Sequence, residues 1–247
     1  MSGVVTSARA TIRSLRIYYG DKVRAAAMDR LYDNFVRSGD LVFDVGAHVG
    51  DRVASFRRLG ARVVAVEPQR SMVRALRLLY GRSAEVTIEA VGVGREAGRA
   101  SMMINADNPT VSSISRAFVE AAHGAPGWET QRWSETAEIE ITTLDALVAK
   151  HGVPAFIKLD VEGFEAEALS GLSRAVPALS FEFTTIQRDV ALACIERCSA
   201  LGYKRFKPAL RESQALIGEW IAAADIARWL MELPQAANSG DIYAVAG

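Results

Sequence analysis

The stretch 41–50, LVFDVGAHVG, limits what this chain can fold into more than any other. Leu41, Val42, Phe43 and Val45 form a short apolar run of the kind a buried parallel strand carries. Glycines then break the run, and an apolar-periodic segment follows over 53–59. The expected unit is strand, tight turn, helix. Gly46 and Gly50 have no β-carbon, so the backbone there can come close to a ligand, with the amides that open the next helix pointing toward it. At 247 residues, half of them hydrophobic, the chain can bury a large core around this unit and fits one α/β domain with additions.

A second strand is expected over 62–66, RVVAV, ending in Glu67-Pro68. Glu67 falls about 20 residues past the first turn glycine, where nucleotide-binding α/β folds place an acid to accept two hydrogen bonds from a ribose diol. The alternative is a solvated acid at a strand end. Helical spacing over 6–36 predicts an N-terminal helical cap, 1–38, ahead of a main domain at 39–247. Within that domain a helix is expected over 69–80, a strand over 86–91 and a β-like segment over 98–104. Residues 105–134 show no sustained period and read as a lid or substrate loop, with Trp128 and Trp133 available either to pack or to stack on a sugar.

A half-exposed strand is expected over 138–142, then a helix over 144–150 that Thr143 can cap. The run FIKLDVEGFEAEALSGL follows. It reads as a central strand over 155–159, with Phe156, Lys158 and Asp160 on one side and Asp160 at the carboxyl end, then a turn at Gly163 and a helix over 164–172. Glu165 and Glu167 are expected at the helix start and on its solvated face. Further strands are expected over 179–183, carrying Glu182, and over 203–206 and 242–245. The helix between the first two of these, 190–201, puts Cys194 and Cys198 on one face, as buried thiols of a reducing compartment, the cytoplasm.

This alternation predicts a doubly wound, mostly parallel sheet with helices on both faces, which binds nucleotides at its strand ends. A dinucleotide calls for G-x-G-x-x-G, which the turn lacks, and Asp44 suits a cationic amino-acid moiety better than a phosphate. The balance favours S-adenosylmethionine. The segments LVFDVGAHVG, VVAVEP, AVG, ITTLDAL and FIKLDVEGFEAEALSGL together resemble the FkbM family of S-adenosylmethionine-dependent methyltransferases, over about 38–183. The resemblance implies a Rossmann-like class I methyltransferase fold, α/β, with a seven-stranded sheet whose last strand is antiparallel. It also implies O-methylation of a sugar, polysaccharide or natural product. Gly46, Ala47, His48, Gly50 and Glu67 match the family's cofactor motifs, and Asp160, Glu162 and Gly163 match its signature; Asp44, Pro68, Ala90, Val91 and Asp160 are expected at the cofactor with the first set. His48 stands where the family more often has Asn, and both can donate a hydrogen bond.

For the chemistry, Asp160 is expected as general base, with Glu162 and Lys158 in the catalytic set. Lys158 is also expected in a buried ion pair with Asp44 or Glu182. Asp160, Glu162 and Glu182 could hold magnesium, but Lys158 brings a competing positive charge, so the expected site is metal-free. Two other readings stay open: an NAD(P)-dependent oxidoreductase and a non-catalytic binding protein. Twenty-nine acidic and twenty-nine basic residues cancel, which disfavours nucleic acid and favours a small-molecule or glycan acceptor. No apolar run approaches the roughly 20 residues of a membrane span. Oligomeric state is unreadable.

Overall fold

In the computed structural model the described residues are 2–246, with side chains from Thr11 onward. Two helices open the chain, α1 (Ser2–Gly20) and α2 (Lys22–Tyr32). The Asp21 carboxylate caps α2 by accepting the amides of Val23 and Arg24 at 2.9 Å. Then come β1 (Leu41–Val45), α3 (Asp51–Arg58), β2 (Arg62–Val66), α4 (Arg70–Tyr80), β3 (Val86–Glu89), β4 (Gly92–Val93) and β5 (Gly98–Ile104). They are followed by α5 (Arg116–Ala122), β6 (Glu135–Thr142), α6 (Leu144–His151), β7 (Phe156–Leu159), α7 (Glu165–Ser170) and β8 (Ala178–Thr184). The chain ends with α8 (Arg188–Leu201), β9 (Tyr203–Leu210), α9 (Ala223–Glu232) and β10 (Ser239–Ala246). No helix among the described residues is long and apolar enough to cross a membrane.

Seven strands form the main sheet in the order β3-β2-β1-β7-β8-β10-β9. The first five are parallel, and β10 runs antiparallel to both β8 and β9, as the family resemblance implied. Because successive strands build outward from β1 in one direction and from β7 in the other, the β1/β7 boundary is where ligands bind in open α/β sheets. Both faces are covered, which is why the strands read as continuous apolar runs. The pleat sends Phe43, Val45, Ile157 and Leu159 to one face, against Leu144, Leu169, Cys194 and Ile226 of the later helices. It sends Val42 and Phe156 to the other, against Met28, Leu31, Tyr32 and Phe56 of α2 and α3. Cys194 and Cys198 are buried free thiols, as expected.

The structure differs from the sequence expectation in the insert. The third strand stops at Glu89 rather than at residue 91, and Gly92 and Val93 turn away to pair with β6. With β5 they make a separate three-stranded sheet, β4-β6-β5. Residues 105–134 hold a 3-10 turn, Pro109–Val111, and α5, whose amide at Phe118 is capped by the Ser115 hydroxyl at 3.1 Å. A seven-residue helix is too short to show two turns of periodicity, which is why the pattern missed it. Trp128 and Trp133 pack edge-on against Phe118, at 5.3 and 6.3 Å between ring centres, and neither lines the cavity described below.

Candidate active site

At the carboxyl end of β1 the chain turns through Gly46 at φ 84°. A β-carbon there would run into the Asp160 carbonyl oxygen, so the turn and the end of β7 can meet only over a glycine. His48 follows at φ 49°, and its amide donates to Glu67 Oε2 at 2.9 Å. Glu67 Oε1 accepts the Gln69 amide at 2.7 Å. The solvated-acid alternative is thereby excluded, since Glu67 is only 2% exposed. Each carboxylate oxygen keeps a lone pair for a further donor. Burial pushes the Glu67 carboxyl up to about 7, against the pull of these two amides.

A cavity of about 780 Å³, its open mouth included, lies over the β1/β7 boundary. Of the residues the sequence singles out, Gly46, His48, Glu67, Pro68, Val91, Asp160, Glu162 and Glu182 line it. Asp44, Ala47, Gly50, Ala90 and Lys158 do not. The pleat turns Asp44 to the face of Phe156, fully buried, with neither carboxylate oxygen hydrogen-bonded, and burial raises it to about 7. Ala47 sits in the core. The Gly50 carbonyl is covered by the hydroxyls of Tyr19 and Tyr80, at 2.7 and 2.9 Å, and Ala90 faces solvent.

Asp160, Glu162 and Glu182 gather at the ends of β7 and β8, where one oxygen of each lies within 4.8 Å of the others. Beneath them Lys158, fully buried, donates to Asp241 Oδ1 at 2.7 Å and to Asp160 Oδ2 at 3.2 Å. These are its carboxylate partners, beside the Leu159 carbonyl at 3.3 Å, rather than the Asp44 or Glu182 expected from sequence. Asp241 replaces them because antiparallel β10 places it opposite Glu182. Burial alone would lower the Lys158 ammonium, but Asp160 and Asp241 hold it up. Asp160 is also approached by Arg52 Nη2, at 3.3 Å. Burial works to raise Asp160, yet Lys158 and Arg52 bring it down to about 2. Glu162 and Glu182, without a cation of their own, are pushed well up by burial and by Asp160. With two cations already aimed at Asp160, the donor set is a poor fit for a divalent ion, and no step is assigned to one.

Glu162 adopts φ 54°, an uncommon backbone for a non-glycine residue, pinned by the Ser113 hydroxyl, which donates to its carbonyl at 2.6 Å. Glu165 starts its helix as expected but is buried, its Oε1 accepting the Val161 amide at 2.8 Å, and burial raises it to about 7. Glu167 is on the surface beside Arg95. Sequence reasoning missed Tyr18, Arg52, Thr110 and Glu212, all of which line the cavity. Arg52 carried a readable signal, a cation in the first turn after the glycine motif. Glu212 carried none.

The charge distribution has a consequence for stability. Asp44, Glu67 and Glu165 titrate near 7 in the fold, against ordinary values of 3.8, 4.5 and 4.5. They ionise more readily in the unfolded chain, so their protonation favours the fold, and that advantage is lost as pH rises from about 4 to about 7. Thermal denaturation of the ligand-free protein is therefore expected to give a lower Tm at about pH 7.5 than at about pH 5.5. A higher Tm at the upper pH would contradict this assignment.

Known proteins place the same architecture in context. The profile described as the Methyltransferase FkbM domain matches residues 44–231. No match was found among curated proteins. Among solved structures, the TehB-like SAM-dependent methyltransferase from Corynebacterium glutamicum aligns over 99% of this chain and 99% of its own, at 12% identity and TM-score 0.50. The precorrin-6y C5,15-methyltransferase from Geobacter metallireducens aligns over 92% of this chain and 88% of its own, at 13% identity and TM-score 0.45. At 12% identity the likeness to the Corynebacterium glutamicum structure shows the fold.

Proposed function

The chain belongs to the FkbM methyltransferase family, and from that premise we propose that it transfers a methyl group from S-adenosylmethionine to a hydroxyl of a small molecule or glycan. The observation that carries this reading is that one cavity joins Gly46, His48 and Glu67 to the carboxyl cluster of Asp160, Glu162 and Glu182. When bound, S-adenosylmethionine supplies an electrophilic methyl group on a positively charged sulfur. Glu67 holds the ribose diol through the lone pairs its two amide bonds leave free, and Gly46 lets the chain lie flat against the cofactor.

The carboxyl cluster receives the proton of the attacking hydroxyl. Asp160, Glu162, Glu182 and Asp241 gather around Lys158 and Arg52, and burial together with the neighbouring acids pushes Glu162 and Glu182 well up. In its ionised form either glutamate has the proton affinity to take the hydroxyl proton as the oxygen attacks. Asp160, held down by two cations, anchors the cluster, while the Glu162/Glu182 pair carries the transferable proton. Hydroxyl acceptors suit the cluster because carboxylates take hydrogen bonds from them and orient the attacking oxygen. Orientation of that kind contributes up to about 7–11 kcal/mol in favourable cases.

A thermal-shift comparison tests the donor. S-adenosylmethionine and S-adenosylhomocysteine are expected to raise Tm, and NAD and NADP to leave it unchanged. Stabilisation by the nicotinamide dinucleotides alone would return the protein to the oxidoreductase class.

A further inference from the structure

The cavity is crowded with carboxylates. Glu67, Asp160, Glu162, Glu182 and Glu212 line it, and Arg52 is the sole arginine or lysine among its described lining residues. A zwitterionic ligand end entering here finds abundant partners for its ammonium group and one for its carboxylate. Arg52 is not well satisfied by what surrounds it. Its nearest acids are Asp160 at 3.3 Å, Glu212 at 3.5 Å and Asp51 at 3.8 Å, and its Nε is buried without a hydrogen-bond partner. A buried guanidinium with an unused donor and only long contacts is ready for a planar, two-pronged anion.

Glu212 lies on the loop after β9 and lines the same cavity. Its carboxylate spans Arg24 Nη2 at 2.7 Å and Arg52 Nη2 at 3.5 Å. Arg24, on α2, also bonds Asp51 at 2.9 Å, so it keeps a partner if Glu212 leaves. The Glu212 side chain is 55% exposed, so water can receive it without a buried charge being stranded. Its loop carries left-handed residues on both sides, Arg211 at φ 51° and Gln214 at φ 52°.

We infer that Arg52 is the seat for the α-carboxylate of the cofactor's methionyl end, and that Glu212 occupies this seat as an internal carboxylate which the ligand displaces. The inference rests on the donor reading above and adds the residues that grip the donor's amino-acid end. No bond is made or broken. One carboxylate replaces another on the Arg52 guanidinium, and Glu212 keeps Arg24 alone or turns to solvent. The exchange loosens the bridge between the β9 loop and the cavity wall at the moment the donor is seated, and so ties cofactor loading to the opening of this side of the site.

Titration calorimetry with two ligands tests it. S-adenosylhomocysteine carries the amino-acid end, whereas 5′-methylthioadenosine has the nucleoside and sulfur without it. In Glu212→Gln, S-adenosylhomocysteine is expected to bind about fivefold more tightly than in the wild type, as removal of a half-exposed competing ion pair allows, with 5′-methylthioadenosine unchanged. Unchanged or weaker S-adenosylhomocysteine binding would overturn the inference, because Glu212 would then be a support for Arg52 and not its occupant. Equal tightening of both ligands would overturn it as well, since only a general opening of the loop would be involved. Failure of the wild type to bind either ligand would instead overturn the donor reading, and the inference with it.

Discussion

Glu182→Gln is expected to slow methyl transfer by about 10²- to 10⁴-fold, the range a positioned general base supplies, while S-adenosylhomocysteine affinity changes far less. Glu182 combines three properties that a proton acceptor needs here. It lines the cavity, its Oε2 is buried without a hydrogen-bond partner, and burial beside Asp160 raises its carboxyl well above the usual range. The amide keeps the shape and removes the basicity. Asp160→Asn is expected to lower turnover too, but with a different signature. It strips the shared carboxylate from fully buried Lys158 and from Arg52, so Tm falls along with the rate. Near-normal turnover in Glu182→Gln would show that the proton leaves by another route. Single-turnover rates separate the chemical step from binding in both variants.

Gly46→Ala is expected to abolish donor binding and to lower Tm. The left-handed dihedral alone costs an alanine about 1–3 kcal/mol. The greater effect comes from Asp160, whose carbonyl oxygen occupies the space of the added methyl. Relief requires the ends of β1 and β7 to part, although the Asp160 amide bonds the Val45 carbonyl at 2.9 Å across that boundary. Parting them moves Asp160 and the His48–Glu67 link together, so both halves of the site are lost at once. Calorimetric titration of the variant with S-adenosylhomocysteine reads this directly, and retained affinity would mean that Gly46 does not shape the donor pocket.

These two positions illustrate what the sequence discloses. Gly46 and Glu67 were legible because a buried strand, a glycine and an acid about 20 residues later have one common use in an α/β sheet. The central strands were legible because cover on both faces leaves them mostly apolar, with Asp44 and Lys158 as the buried exceptions in β1 and β7, and the antiparallel last strand came from family resemblance. Contacts distant in sequence were not legible. Lys158 finds Asp241, 83 residues away, through a register that only the antiparallel pairing of β10 sets. Glu165 looked like an ordinary first-turn acid, and its burial depends on how the 160–164 turn folds back on it. Asp44 lies one residue from the cavity wall, and the pleat turns it away. Tyr18, Thr110 and Glu212 come from three separate segments that meet only over the folded site, and none carries a local motif.

We propose that this site places a methyl group on oxygen. This is tested most directly by incubating the protein with ¹³C-methyl-labelled S-adenosylmethionine and small-molecule and glycan fractions, and identifying the labelled carbon by NMR. A methoxy signal is expected with the wild type and is expected to be strongly reduced with Glu182→Gln. A label found on nitrogen or carbon, or a methoxy product formed equally well by that variant, would contradict it.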